Sequence, residues 1–176
     1  FDEVVAVIER VIKKSGTKAK NVAMALPASA VITKKIVLPA GLSERELELQ
    51  VESEANQYIP FSLDEVSLDF CVIGPSPSSD EDEEVLIAAS RKEKVAERQE
   101  LAEMAGLKPV VLDIESYAAR AVAMNQIQRL PNQGKDLIVA LFEMGSMSTT
   151  LQVLQNGQVL YERDQVFGGA QLTQLI

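Results

Sequence analysis

The sequence has no histidine and no tryptophan, a single cysteine, and only three tyrosines and five phenylalanines in 176 residues. Without histidine there is no Ser-His-Asp triad, no Cys-His dyad and no imidazole metal site. Cys71, standing alone, excludes a disulfide within the chain and fits a reducing compartment. No apolar run approaches the roughly 20 residues that span a bilayer. Basic residues are also scarce: 17 Lys and Arg face 26 Asp and Glu, for a net charge of −9. That balance argues against nucleic acid as a partner, because phosphate backbones are bound by basic surfaces. What is plentiful is apolar side chain, 47% of residues, enough for a proper core in one large domain or two small ones. The sequence opens at Phe1 and stops in mid-pattern at Gln174-Leu175-Ile176, which reads as a piece of a longer protein.

Hydrophobic periodicity divides the chain into alternating elements. Val4, Ile8, Val11 and Ile12 share one face of a first helix, which Lys13, Lys14 and Gly16 close. Asn21–Leu26 reads as a buried strand, and Val31–Leu38, with Lys34 and Lys35 in its middle, as an edge or half-exposed one. Ser43-Glu44-Arg45-Glu46 is a capping box before the stripe Leu47, Val51, Ala55, Tyr58, and Pro60 ends that helix. Val66, Leu68, Phe70 and Val72 alternate with polar residues, the period of a strand with one buried face. The stretch 74–84, rich in Gly, Pro and Ser and then wholly acidic from Asp80 to Glu84, reads as a surface loop, with Val85–Ala89 as the returning strand. Ser90-Arg91-Lys92-Glu93 has the form of a second capping box, opening a helix that stops at Gly106. A strand over 108–114, an alanine-rich helix over 115–128 and a linker over 130–134 follow. Strands then begin at Leu137, Thr149 and Gln158, the last two joined by the hairpin signal Asn156-Gly157, and Gly168-Gly169 leads into another helix.

Two segments carry candidate chemistry. Glu143-Met144-Gly145-Ser146-Met147-Ser148-Thr149-Thr150 places an acid, a glycine and four hydroxyls between two strands. Glycine lets backbone amides approach an anion, hydroxyls donate to its oxygens, and an acid can hold a hydrated Mg²⁺; the competing account is a polar hairpin turn. Asn56-Gln57-Tyr58-Ile59-Pro60-Phe61 sets large apolar groups beside two amides at a helix end. It serves equally as a hydrophobic cluster under the helix or as a peptide-docking surface. The carboxylates Glu48, Glu52 and Glu54 read as a solvated helix face, the acidic run 80–84 as a poor metal site, and Cys71 as packing.

The stretch from Arg98 to Ala119, with "AGL" closing a helix, a strand, and an acid followed by alanines opening the next, resembles the actin-like ATPase superfamily. Leu137–Thr150 resembles that superfamily's second phosphate loop, and Val22–Ala28 its first-domain strand. The segment Ala30–Phe70, with "EANQYIPF" inside it, and "QVFGGAQLT" at Gln165–Thr173 resemble the PilM family of type IV pilus assembly, which lies in the FtsA-like branch. The resemblance implies an α/β actin-like fold truncated at both ends. Its first domain would be represented by residues 1–28 and 91–130, an inserted α+β subdomain by 29–90, and the start of a second domain by 135–176.

It further implies a cytoplasmic adaptor, peripheral to the inner membrane through its partner, that docks the N-terminal peptide of PilN and links it to the pilus machinery, with other pilus assembly proteins including motor ATPases as further partners. Homodimerisation or strand exchange at open sheet edges is expected as well, with no membrane insertion. Peptide docking would fall to Asn56, Gln57, Tyr58, Ile59, Pro60 and Phe61. In the full-length protein ATP phosphates would meet Gly145, Ser146, Ser148 and Thr149, with Mg²⁺ near Glu143 through water. Glu143 stands where the superfamily usually has Asp. The first phosphate loop and the adenosine-contacting segments lie outside the sequence. No catalytic residue is therefore assigned, and little ATP affinity and no turnover are expected. The alternative is an actin-like ATPase whose turnover drives assembly.

Overall fold

The computed structural model describes residues 1–176, which form two compact units, Phe1–Asp113 and Ile114–Ile176. In the first unit, helix α1 (Asp2–Ser15) is closed by Gly16 at φ 68, the left-handed conformation that glycine adopts without steric cost. Val5 of α1 packs with Leu101 and Ala105 at the end of α3 (Lys92–Met104), and Ile8 joins them. Strands β1 (Asn21–Leu26) and β5 (Lys108–Ile114) form a two-stranded sheet. β1 is a strand as expected but only partly a buried one: Leu26 is buried and Val22, Met24 and Ala25 are half-buried, the sheet being two strands wide.

Between β1 and α3 lies a second layer. Strands β2 (Val31–Pro39), β3 (Val66–Ser76) and β4 (Ser79–Arg91) form an antiparallel sheet of order β2-β4-β3, with helix α2 (Glu44–Tyr58) on one face. Because side chains alternate across a strand, Ile36, Leu38, Val85 and Ile87 all reach the α2 side, where Leu47 and Val51 meet them. A continuation of this core joins Ala55, Ile59, Val66 and Ala89. The capping box at the start of α2 forms as its sequence dictates: Ser43 Oγ accepts from the Glu46 amide, and Glu46 Oε2 accepts from the Ser43 amide at 2.8 Å.

Two expectations are overturned in this layer. The acidic stretch is not a loop. β3 runs on to Ser76, only Pro77 and Ser78 turn the chain, and Asp80–Glu84 lie in β4, the central strand. Glu84 pairs with Val37 on one side and Gly74 on the other, and Glu83 with Leu38 and Pro75. The pairing satisfies the backbone on both sides, while Asp80 and Glu81 stay exposed, Asp82, Glu83 and Glu84 are half-buried, and Lys35 Nζ lies 3.7 Å from Glu84 Oε2. The second capping box also does not form. Ser90 Oγ donates to the Ala30 carbonyl at 2.8 Å, α3 begins at Lys92, and its N-cap Arg91 makes no side-chain cap.

The second unit holds α4 (Glu115–Ile127), the strands β6 (Ile138–Met144), β7 (Thr149–Gln155) and β8 (Gln158–Gln165) in a meander of order β6-β7-β8, and the short α5 (Gly169–Gln174). Asn156 and Gly157 turn β7 into β8 with φ of 51 and 78, the paired positive values of a type I′ turn. The buried Gln152 of β7 donates from Nε2 to the Ser116 carbonyl at 3.1 Å, tying the sheet to the first turn of α4.

Candidate functional site

The first unit contains a cavity of about 750 Å³ between the α1–β1–α3 layer and the β2-β4-β3 layer. Its floor is apolar: Leu26 at the end of β1, Ile32 of β2, Ile59 and Phe61 after α2, Val66 of β3 and Leu101 of α3. Its charged wall is the first two turns of α3 with the residue before them. Lys94, Glu97, Arg98 and Leu101 follow the i, i+3, i+4, i+7 spacing that puts them on one helix face. Most of that wall's charge is internally satisfied. Lys94 Nζ sits 3.0 Å from Glu97 Oε2, and Arg91 Nη1 sits 3.5 Å from Glu93 Oε1 while its guanidinium lies 4.1 Å from the Phe61 ring centroid. Arg98 is different: it is half-buried and has no ion pair or hydrogen bond within the chain. The hydroxyl of Ser29, also in the lining, is likewise uncommitted, whereas that of Ser90 is taken by Ala30. The cavity's spare polar capacity is therefore dominated by donors, and it suits an occupant that brings acceptors along an apolar body.

The docking candidates divide across this geometry. Ile59, 7% exposed, and the half-buried Phe61 line the cavity. Asn56, Gln57, Tyr58 and Pro60 are exposed and outside its lining, and the Tyr58 ring lies under Lys34 Nζ at 4.8 Å from the centroid. The α3 wall and Leu26 were not among the sequence candidates. The periodic run 94, 97, 98, 101 marks a helix face, but nothing local shows that a cavity lies in front of it.

The second candidate is the β6–β7 connection in the other unit. Gly145 N donates to the Ser148 carbonyl at 2.8 Å, closing a tight turn. The first amides of α5 then cap that turn, Gly169 N donating to the Gly145 carbonyl and Ala170 N to the Ser146 carbonyl, each at 2.9 Å. Thr149 Oγ1 donates to the Phe167 carbonyl at 2.6 Å, and Thr150 Oγ1 to Asp164 Oδ1 at 2.7 Å. Ser146 and Ser148 keep uncommitted hydroxyls at the surface, and Glu143 is exposed two residues before Gly145. This donor set fits contact with a phosphate oxygen through Ser146 and Ser148. No group of three or more acidic, cysteine or histidine side chains that could hold a metal ion by itself gathers in the chain, so a Mg²⁺ here would depend on Glu143, phosphate oxygens and water together.

The family model for the type IV pilus assembly protein PilM matches residues 1–176. The chain belongs to the PilM family. A solved PilM–PilN type IV pilus biogenesis complex matches it at 31% identity with a TM-score of 0.78, over 98% of this chain and 50% of that one. The α/β fold is thus that of PilM. The same fold recurs at 13% identity and a TM-score of 0.54 in the cytoplasmic domain of EpsL, an inner membrane component of the type II secretion system of Vibrio cholerae, over 97% of this chain and 59% of that one. The chain spans about half the length of the PilM it matches. No helix of this PilM-family chain is long and apolar enough to cross a membrane.

Proposed function

We propose that this chain is the docking portion of a cytoplasmic adaptor in the type IV pilus inner-membrane platform, and that it holds the N-terminal peptide of PilN in the cavity of its first unit. The observation that carries this reading is the cavity itself, with its apolar floor and the half-buried, unpaired Arg98 on its wall. An extended peptide supplies what the cavity lacks: apolar side chains for Leu26, Ile32, Ile59 and Phe61, and main-chain carbonyls for Arg98 and Ser29. Membership of the PilM family and likeness to a PilM–PilN complex support the choice of peptide. In this reading the fold is the actin-like, FtsA-type one, with residues 29–90 as its inserted subdomain and motor ATPases as further partners of the assembled platform.

The experiment is fluorescence anisotropy of a labelled PilN N-terminal peptide titrated with the chain. Fully burying one large apolar side chain is worth roughly 1.5–3 kcal/mol, and about 1.4 kcal/mol is a factor of ten. Phe61→Ala is expected to weaken binding about tenfold or more, and Tyr58→Ala, outside the lining, far less. Unchanged binding by a folded Phe61→Ala protein would move the docking site elsewhere.

The β6–β7 turn supports a nucleotide reading of the same protein. Ser146 and Ser148 would donate to phosphate oxygens, and Glu143 would lie near a hydrated Mg²⁺ that neutralises phosphate charge. Thr149 and Gly145 would act by holding the turn's shape, their polar groups being spent within the fold. Turnover that drives assembly is the enzymatic version of this reading. Titration calorimetry with ATP and Mg²⁺ tests it: binding lost in a Ser146→Ala/Ser148→Ala variant supports the assignment, and binding unaffected by that variant places any nucleotide elsewhere.

A further inference from the structure

The charge of this molecule is segregated. From Arg10 to Lys20 there are five basic residues, Arg10, Lys13, Lys14, Lys18 and Lys20, and no acidic one. The fold adds a sixth, because Lys108 N donates to the Lys20 carbonyl at 2.7 Å where β5 begins beside the start of β1. All six side chains are exposed, and none takes part in an ion pair or hydrogen bond within the chain. Taking these six out of the net −9 leaves the rest of the chain at −15. Lys13 and Lys14 in the last turn of α1 have a local reason to be there, since cations favour the negative end of a helix. Lys18, Lys20 and Lys108 lie beyond the helix, and no helix end accounts for them.

We propose that this basic pole lies against the anionic headgroups of a membrane surface, a contact separate from peptide docking and beyond it. Five of the six cations are lysines, compact charges on flexible stems that suit a diffuse layer of anions better than one bidentate ligand. None of the six lines the cavity, so the pole offers a field rather than a pocket. The field acts over a screening length of about 8 Å at physiological salt, short enough for a local cluster to be attracted although the chain as a whole is acidic. Each lysine held at an anionic surface multiplies binding about fivefold. The pole would orient the protein on the leaflet without inserting into it.

The test is flotation of the full chain with vesicles of phosphatidylcholine alone or of phosphatidylcholine with phosphatidylglycerol. Binding is expected only to the anionic vesicles and is expected to vanish at raised salt. Lys13→Gln, Lys14→Gln, Lys18→Gln and Lys20→Gln together should reduce it about tenfold or more. Lys34→Gln, Lys35→Gln, Lys92→Gln and Lys135→Gln together, with the same change in net charge, should leave it nearly intact. Absence of binding to anionic vesicles at low salt overturns the proposal, as does equal loss in the two quadruple variants. Circular dichroism of both variants checks that the fold is retained, as exposed lysines lead one to expect.

Discussion

Ser43 and Glu46 show how much a local motif can fix and how it ties stability to pH. The Ser43 side chain, followed by its amide, hydrogen-bonds the Glu46 carboxylate and holds its pKa below the ordinary 4.5. A depressed carboxyl contributes stability that is fully present above its unfolded pKa and is lost as pH falls through the lower folded value. The gap in melting temperature between the parent and Glu46→Gln should therefore be constant near neutrality and close below pH 4.5. A gap that persisted in acid would show that the carboxylate's charge is irrelevant to the cap. Replacing Ser43 by Ala should cost about 1 kcal/mol. This box was legible because both partners lie within four residues. Ser90 sits in the same sequence pattern and behaves differently, because its partner, the Ala30 carbonyl, is 60 residues away and competes successfully for the hydroxyl. Gly168 is a residue whose role only the fold reveals. Its φ of −153 is open to any residue, yet a Cβ there would stand 2.5 Å from the Ser146 carbonyl oxygen and 2.6 Å from that of Gly145. Gly168→Ala should cost roughly 1–3 kcal/mol as an overpacked contact and should speed amide exchange at Gly169 and Ala170, which cap the turn. Unchanged exchange at both amides would mean that the turn relaxes freely.

At the scale of elements, β4 separates the two ways of reading an acidic run. Five consecutive carboxylates discourage burial, and on composition they belong in a loop. In the fold they occupy the central strand, because β2 and β3 satisfy the backbone from either side while Val85, Ile87 and Ala89 further along carry the burial. The alternation of Val85, Ile87 and Ala89 was visible; the extension back to Ser79 was not, since it depends on partners that begin at Val31 and Val66. Glu84→Pro tests the strand directly. In a loop it would be tolerated within tenths of a kcal/mol, whereas in a central strand it removes a donor from the ladder. A loss on the order of 3 kcal/mol is expected, the scale of a proline placed inside a regular element. A thermal transition within a degree or two of the parent's would return the segment to loop status. The β7–β8 hairpin is the opposite case. Asn156-Gly157 announces its turn locally, and the positive φ at both residues is what that pair of side chains tolerates best.

At the scale of the molecule, the two proposed surfaces differ in how far the sequence revealed them. The cavity draws on residues from Val4 to Leu101, contributed by four strands, two helices and the segments between them. Its proposed docking role came from family resemblance, but its wall did not, because periodicity locates a helix face without saying what stands opposite. The basic pole needs only eleven consecutive residues and one backbone hydrogen bond, so its charge was readable and its isolation from every ion pair was not. The cavity's lining and the pole share no residue, which makes their coupling testable. Variants at sites without shared partners are expected to add in free energy. On vesicles that carry both anionic lipid and the membrane-anchored peptide, the second contact becomes intramolecular, and binding should exceed that to either feature alone by a factor set by effective concentration. Phe61→Ala should then remove the peptide-dependent part and leave the salt-sensitive part, while neutralising Lys13, Lys14, Lys18 and Lys20 should do the reverse. Flotation of the two variants and their combination on such vesicles provides the measurement. If the combined variant bound no more weakly than either one alone, the two contacts would not be independent, and the picture of a peptide-docked protein oriented by a basic pole would fail.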